Sequence, residues 1–256
     1  MKTLNLQRDA VYQGNLRLVN AQYPCRENGR GRHLAPDTRF PGIKLAPAAA
    51  RALRAACRHI LSGDAIVPVS GYRTLAEQAE IYTRSLKENG ERFTRKYVAL
   101  PGRSEHQTGL AIDLGLNQEH IDFIRPDFPY DGICESFRRA APDFGFIERY
   151  AREKERITGI SHEPWHFRYV GQPHARIMTE RGLSLEEYIA LLKNYRADCR
   201  LSCPVSGSCT AEIYCVPAAR EANTIPLPEG CACQISGNNV DGFIVTVWRA
   251  RHEAAV

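Results

Sequence analysis

The stretch SEHQTGLAIDLGL, residues 104–116, is the part of this chain of 256 residues that decides its fold and chemistry. It carries a histidine and an aspartate on either side of a glycine, and EPWH follows at residues 163–166. From the two segments we take two imidazoles and two carboxylates as candidates, namely His106, His166, Asp113 and Glu163. Catalytic zinc typically has three protein ligands and an open fourth position, whereas structural zinc is closed by four protein ligands. The pattern therefore indicates a catalytic zinc site, with one carboxylate left over to act as a base.

Alternation within residues 110–116 predicts a β-strand. The even positions are large and apolar, and the odd face carries Asp113 between Ala111 and Gly115. An ionised aspartate on such a face needs a partner because burying a bare charge is prohibitive. A zinc ion would supply that partner, and a structural salt bridge to an arginine is the alternative. His106 stands in a glycine-containing loop that could curl toward the same ion, although a lone loop histidine could equally be a surface residue.

The run from Trp165 to Val170 also reads as a strand. In a straight strand Glu163 and His166 would face opposite sides of the sheet. Pro164 predicts a bulge or turn at the start of the strand, which would bring both side chains to one side. His162 is a competing ligand, but it lies before this break.

Arg73 follows a predicted strand in the segment SGYRT, residues 70–74. Catalytic loops are often found in such places. A guanidinium held near zinc could stabilise a carbonyl oxygen as it becomes an oxyanion. The alternative is an ordinary surface arginine.

Further elements follow from periodicity and capping signals. Residues 47–61 and 136–144 read as helices, residues 65–73 as a strand, and residues 16–19 as a strand in an irregular N-terminal arm. Thr74 and Glu77 form a capping box for a helix with Leu75 facing inward, which ends before a loop at Asn89-Gly90. Ser184 caps a last helix through Leu192.

The composition changes near residue 198. Residues 212–216, 232–235 and 243–248 read as three strands, with a turn at residues 237–239. We expect two domains, a catalytic domain at 1–197 and a small cysteine-containing β extension at 198–256. Six of the nine cysteines lie in this extension. We expect them to be free thiols, and the alternative is a second zinc site, for which the CxxC spacing is missing.

Charge and hydropathy narrow the class of protein. The net charge of +5 is too weak to indicate nucleic-acid binding, and Lys and Arg form no dense stripe. No window approaches the roughly 20 apolar residues of a membrane span. The N-terminus lacks the apolar segment of a secretory signal, so a cytoplasmic protein is expected. The remaining histidines are expected at the surface or in packing: His33, His59, His120, His174 and His252.

Three motifs together resemble the zinc D,D-peptidases of the VanY/VanX group: SGYRT at 70–74, SxHxxGxAxD at 104–113, and EPWH at 163–166. The similarity extends over roughly residues 16–192 and includes segments that resemble the bifunctional VanXY branch. Residues 234–243 resemble an extension carried by VanXY proteins of the G type. The resemblance implies an α+β, hedgehog/D,D-peptidase-like fold, in which helices flank an antiparallel sheet and the zinc lies in a cleft.

The resemblance also implies one catalytic Zn²⁺ and roles for seven side chains. These are the zinc ligands His106, Asp113 and His166, the general base and acid Glu163, the carbonyl-polarising Arg73, and Ser104 and Gln78 at the terminal D-Ala. The implied reaction releases C-terminal D-Ala from D-Ala-D-Ala or from pentapeptide peptidoglycan precursors, and so lowers the amount of the glycopeptide antibiotic target. Residues 115–132 are the expected wall or lid that sets substrate length.

Two other functions stay open at this stage. One is an L,D-carboxypeptidase or another peptidoglycan peptidase on the same fold. The other is a zinc-bearing binding module without catalysis, against which the presence of both Glu163 and Arg73 argues.

Overall fold

A computed structural model describes residues 2–26, 34–220 and 222–250. The helices are α1 (Pro47–His59), α2 (Leu75–Tyr97), α3 (Gly132–Ala140), α4 (Glu155–Thr158), α5 (His174–Glu180) and α6 (Leu185–Leu192). The strands are β1 (Lys2–Gln7), β2 (Ala35–Pro36), β3 (Lys44–Leu45), β4 (Ile66–Ser70), β5 (Ala111–Leu116), β6 (Phe146–Tyr150), β7 (Glu163–Tyr169), β8 (Leu201–Ser206), β9 (Cys209–Pro217), β10 (Ala222–Leu227), β11 (Ala232–Gly237) and β12 (Gly242–Ala250). The contacts between residues divide the chain into two compact units: residues 19–184 form one, and residues 1–18 together with 185–256 form the other.

The unit of residues 19–184 is built on a four-stranded antiparallel sheet with the order β4-β5-β7-β6. The apolar face of β5 carries Ile112 and Leu114, which pack with residues of α1 and α3 and with Phe167 in one buried cluster. The opposite face of β5 is left to Asp113 and its small neighbours. The predicted α+β fold with an antiparallel sheet and helices is confirmed.

The helices begin where the capping signals place them. α1 has Pro47 in its first turn, where the missing N–H costs nothing, and it buries Leu53 on its apolar stripe. The capping box of Thr74 and Glu77 is present at the start of α2. Leu75 is 55% exposed, so its predicted inward position is wrong, because the first turn of α2 presents this side chain to solvent. Gly90 is not in a loop between elements; it kinks α2 at φ 79°, a conformation that glycine adopts readily.

Two further expectations need correction. Residues 16–19 form no strand, although Leu16, Leu18 and Val19 are buried. The backbone N–H of Leu16 donates to the Ser236 hydroxyl, and that of Leu18 donates to the Asn238 carbonyl, so no regular ladder forms. The predicted helix at 136–144 starts earlier, as α3, and finishes as a 3₁₀ turn over Ala141–Phe144. α5 was not predicted at all.

The other unit contains the sheet β11-β12-β9-β8 and the separate pair β1-β10. The three predicted C-terminal strands are confirmed as β9, β11 and β12. The Asn238 side chain accepts hydrogen bonds from three successive backbone N–H groups and closes the predicted turn between β11 and β12. β8 and β10 were missed because each contains a proline, which weakens a strand signal.

The two units do not divide the chain at residue 197. The N–H of Cys215 donates a hydrogen bond to the Tyr195 carbonyl, and the N–H of Leu18 donates one to the Asn238 carbonyl. Residues 1–18 and 185–197, which flank the catalytic segment in the sequence, therefore belong to the same compact unit as the C-terminal strands. The functional division into 1–197 and 198–256 stays a prediction. Within the described residues, no helix is long and apolar enough to cross a membrane.

Candidate active site

Three elements bring His106, Asp113 and His166 together. His106 lies on a 3₁₀ turn before β5, Asp113 lies on β5, and His166 lies on β7 directly across from Asp113 in the sheet register. His106 Nε2 is 3.1 Å from Asp113 Oδ2, and His166 Nδ1 is 2.9 Å from Asp113 Oδ1. One ligand atom from each residue lies within 4.8 Å of the others, and all three side chains are buried. This group could hold a metal ion.

The turn at Gly109 makes this convergence possible. Gly109 has φ 70°, which L side chains rarely adopt. A Cβ there would also come within 3.1 Å of the Ala46 backbone nitrogen, whose N–H donates to the Gly109 carbonyl. His106 Nδ1 donates to the Gly71 carbonyl oxygen at 2.7 Å, which leaves Nε2 as the free ligand atom facing Asp113. The orientation of His106 is therefore set by backbone contacts.

The strand β7 is irregular where Pro164 predicted it. The pairing of β6 with β7 shifts register between Glu148 and Tyr150, so that Tyr150 faces Glu163 while Glu148 faces Phe167. Glu163 and His166 consequently reach the same cleft, with Glu163 Oε2 3.8 Å from His166 Nδ1. The predicted bulge is confirmed. His162 is not a member of the metal group, and its Nε2 contacts the Tyr130 hydroxyl at 2.7 Å.

Burial controls the proton affinity of Glu163. The side chain is 7% exposed, and desolvation raises its pKa to about 8 against the opposing effect of His166. A carboxyl group with a pKa near neutrality can both accept and return a proton at physiological pH. The geometry and the pKa together fit a general base.

Arg73 lies beside the metal group rather than at the surface. Its Nη2 donates to Asp113 Oδ2 at 2.9 Å, and its Nε donates to Ser70 Oγ at 2.8 Å. The salt bridge between Asp113 and an arginine, which was the alternative to a metal partner, is thus present together with the two imidazole contacts. The Phe123 ring packs over the guanidinium, 5.7 Å from its central carbon.

Gln78 and Ser104 both line the same cleft. The Gln78 side chain accepts from Arg73 Nη1 at 3.1 Å and donates to the Ala99 carbonyl at 2.8 Å. Gln78 therefore orients Arg73, a contact that the sequence did not predict. Ser104 is 3% exposed and precedes the turn that carries His106.

A second charged cluster adjoins the metal group and was not predicted. Glu105 is buried, its Oε1 accepts from Arg149 Nε at 2.9 Å and from Arg168 Nη1 at 2.7 Å, and its Oε2 is 3.4 Å from His166 Nε2. The only sequence signal for it was the position of Glu105 next to His106. Arg149 and Arg168 stand in apolar strands, where a charge requires a buried partner.

The charges of the cluster act on one another strongly. Burial, together with the nearby Arg73 guanidinium, lowers the pKa of His106 to about 4. Burial disfavours charge on Asp113 also, but both imidazoles hold the pKa of Asp113 well below its usual range. Burial opposes the charge on His166, yet hydrogen bonds with Asp113 and Glu105 raise its pKa to about 9.

Among the residues that the structure describes, the remaining histidines and cysteines contribute no second metal group. His59 and His120 are exposed, His174 is fully buried, and His33 and His252 lie outside the described residues. All nine cysteines are free thiols. Within residues 2–26, 34–220 and 222–250, the His106 group is the one cluster of three or more such side chains that could hold a metal ion.

A family model described as VanY, D-alanyl-D-alanine carboxypeptidase, matches residues 43–172. This segment contains the metal group and the other side chains of the cleft described above, Arg73, Gln78, Ser104 and Glu163. The chain belongs to the VanY family. The resemblance to the VanY/VanX group is thereby confirmed, and the protein is a VanY-family peptidase. The matched segment begins just before β3 and ends after β7, so it includes the whole sheet that carries the site.

Individual members of the family agree with this assignment. The bifunctional D-Ala-D-Ala dipeptidase and D-Ala-D-Ala carboxypeptidase VanXYC of Enterococcus gallinarum is 44% identical over 176 residues, which are 68% of this chain and 92% of that protein. The crystal structure of the vancomycin resistance D,D-dipeptidase VanXYg, in complex with a D-Ala-D-Ala phosphinate analog, is 59% identical with a TM-score of 0.95, over 97% of this chain and 99% of that chain.

One solved structure with lower sequence identity to this chain contains a bound metal ion. It is a mutant of the vancomycin resistance D,D-pentapeptidase VanY from a VanB-type resistance cassette, in complex with Zn(II). It is 31% identical with a TM-score of 0.58, over 68% of this chain and 98% of that chain. The VanY family thus includes a zinc-bound structure.

Proposed function

We propose that this protein is a zinc-dependent D,D-peptidase that releases C-terminal D-Ala from the D-Ala-D-Ala dipeptide and from pentapeptide peptidoglycan precursors. The observation that carries the proposal is the buried group of His106, Asp113 and His166, with Glu163 and Arg73 in the same cleft. The relatives VanXYC and VanXYg are named for the dipeptide reaction, and VanXYC also for the carboxypeptidase reaction. Loss of these precursors would remove the target of glycopeptide antibiotics.

The donor set fits a catalytic zinc ion. Two imidazole nitrogens and one carboxylate oxygen lie within 4.8 Å of one another, and three protein ligands would leave a fourth position open. Zinc bound there would supply Lewis acidity, which polarises a peptide carbonyl and lowers the pKa of a bound water to about 7. His106, Asp113 and His166 would hold the ion.

Glu163 would move the proton during hydrolysis. In this proposal it accepts a proton from the water that attacks the scissile carbonyl, and then delivers that proton to the amine of the leaving D-Ala. Its raised pKa suits both directions of transfer near neutral pH. Its position on the irregular start of β7 places the carboxyl group next to the metal group without making it a ligand in the cluster.

Arg73 would stabilise the charge that develops on the carbonyl oxygen. Its guanidinium is held by Ser70, Gln78 and Asp113, so little reorganisation is needed when charge appears. Ser104 would contact the carboxylate of the terminal D-Ala through its hydroxyl, and Gln78 would act on the same end of the substrate through its contact with Arg73.

Residues 115–132 would set how long a peptide the cleft admits. Phe123 and Ile124 from this segment line the same cleft as the metal group, and the Phe123 ring packs against the Arg73 guanidinium. We place the reaction in the cytoplasm, where the free dipeptide and the nucleotide-linked pentapeptide occur. Fractionation of cells that express the protein tests this location.

A single assay tests the proposed function. Purified protein with zinc is incubated in parallel with D-Ala-D-Ala, with UDP-linked pentapeptide and with the corresponding tetrapeptide, and free D-Ala is measured. We expect release from the dipeptide and the pentapeptide, no release from the tetrapeptide, and abolition by a chelator. Release from the tetrapeptide alone would favour an L,D-carboxypeptidase. Zinc binding without release from any substrate would favour the binding module.

A further inference from the structure

Glu105 is a fully buried carboxylate with three charged or chargeable partners. Its side chain and those of Arg149 and Arg168 are all 0% exposed. The two arginines come from neighbouring strands, β6 and β7, and both donate to the same oxygen, Oε1. Buried charges of this kind contribute little net stability, because desolvation offsets their attraction. The cluster therefore calls for an explanation other than stability.

The second oxygen of Glu105 is directed at His166. Oε2 is 3.4 Å from His166 Nε2, while the other ring nitrogen, Nδ1, is 2.9 Å from Asp113. His166 thus has a carboxylate at each ring nitrogen. Because the two arginines engage Oε1, they orient the carboxylate so that Oε2 is presented to the imidazole. A histidine that binds a metal through one nitrogen usually donates its other N–H to a carboxylate or carbonyl, which sets its tautomer.

We propose that Glu105 is a positioning residue that keeps the proton of His166 on Nε2 and thereby makes Nδ1 the metal ligand, with Arg149 and Arg168 holding Glu105 in place. This inference rests on the proposed zinc site. It also explains why His106 and His166 use different nitrogens. His106 donates Nδ1–H to the Gly71 carbonyl and presents Nε2, whereas His166 donates Nε2–H to Glu105 and presents Nδ1.

The substitution Glu105→Gln separates this role from simple packing. The two guanidinium groups require an acceptor at the position of Oε1, so the glutamine amide would place its oxygen there. Its NH₂ group would then face His166 Nε2 as a donor. That arrangement favours the tautomer with the proton on Nδ1, the atom that should bind the metal. The change is nearly isosteric, yet it should select the wrong tautomer.

Zinc affinity is the first measurement. Competition with a chromophoric chelator gives the Kd for Zn²⁺ of the wild-type protein and of Glu105→Gln, and we expect a 10- to 100-fold weaker Kd in the variant, as changes to outer-shell partners of metal ligands usually produce. Glu212→Gln is the matched control, because Glu212 also bridges two arginines, Arg200 and Arg249, but on β9. An unchanged Kd in Glu105→Gln, or an equal loss in Glu212→Gln, would overturn the inference.

A second measurement uses the wild-type protein and does not depend on the folding of a variant. ¹⁵N-labelled histidine spectra, recorded before and after addition of Zn²⁺, report which ring nitrogen of His166 binds metal. We expect metal at Nδ1 and a proton retained on Nε2. Coordination through Nε2 would overturn the role of Glu105 while leaving the zinc site intact. Failure of the wild-type protein to bind Zn²⁺ would overturn the zinc site and the inference together.

Discussion

His174 should make the stability of the protein depend on pH in a measurable way. It is the first residue of α5 and is fully buried, and burial lowers its pKa from 6.5 to about 3. In the unfolded chain it regains its ordinary pKa, so between these values the unfolded state binds more protons than the folded state. The stabilisation is therefore complete above pH 6.5 and is lost as the pH falls toward 3.

The size of the effect follows from the two pKa values. Each pH unit within the window changes the free energy of unfolding by about 1.4 kcal/mol per titrating group. Protonation of this histidine stabilises the unfolded state by about 2 kcal/mol at pH 5 and by only about 0.2 kcal/mol at pH 7. Lowering the pH from 7 to 5 should thus cost about 2 kcal/mol through His174 alone.

Urea unfolding at pH 7 and pH 5, in the presence of a chelator, measures this loss. The chain has two tryptophans, so a Trp248→Phe background leaves Trp165 as the fluorescent reporter of the unit that contains His174. The variant His174→Gln in that background lacks the titrating group. Between pH 7 and pH 5, we expect the free energy of unfolding to fall by about 2 kcal/mol more in the protein with His174 than in the His174→Gln variant. An equal loss in both proteins would refute the assignment of a depressed pKa, whatever the absolute stability of the variant.

Three other substitutions test the site. Glu163→Gln should lower kcat about 10²- to 10⁴-fold while the zinc content after dialysis stays at one ion, and wild-type turnover would contradict its role in proton transfer. His106→Ala should lose zinc on dialysis because it removes a ligand, and a full zinc content would show that another residue binds the ion. Gly109→Ala should lower the free energy of unfolding by about 1–3 kcal/mol, since φ 70° is unfavourable for alanine, and an unchanged urea midpoint would contradict that strain.

Local patterns in the sequence predicted on which side of the sheet Asp113 and Glu163 lie, whereas the proposed set of three zinc ligands came from the family resemblance. The alternation in residues 110–116 separated Asp113 from its apolar neighbours, and the structure puts Ile112 and Leu114 in the core and Asp113 in the cleft. Pro164 predicted the irregular start of β7. Both inferences concern residues within one strand, where the period of two relates sequence directly to the two faces of the sheet.

Contacts between distant segments could not be predicted in the same way. The pairing of β1 with β10 joins Lys2 to Leu227, and neither strand shows a strong local signal. Leu16 and Leu18 looked like strand residues because they are apolar, but side-chain and loop partners from residues 236–239 satisfy their backbone groups. Apolar character predicted their burial correctly and their conformation incorrectly, because hydrophobicity reports burial and not the hydrogen-bond partner.

The cluster around Glu105 explains how the proposed zinc site can be organised by the protein itself. Asp113 and Glu105 are both held ionised, and between them they raise the pKa of His166 to about 9, so that a proton on His166 balances part of their charge. A metal ligand must be deprotonated, and a zinc ion binding at Nδ1 would replace that proton with a larger positive charge at nearly the same place. Hydrogen bonds of His106 to the Gly71 carbonyl, and of His166 to Asp113 and Glu105, hold these side chains close together. The motif SEHQTGLAID carries two of the three proposed ligands, His106 and Asp113, and also Glu105, the carboxylate that we propose orients the third, His166.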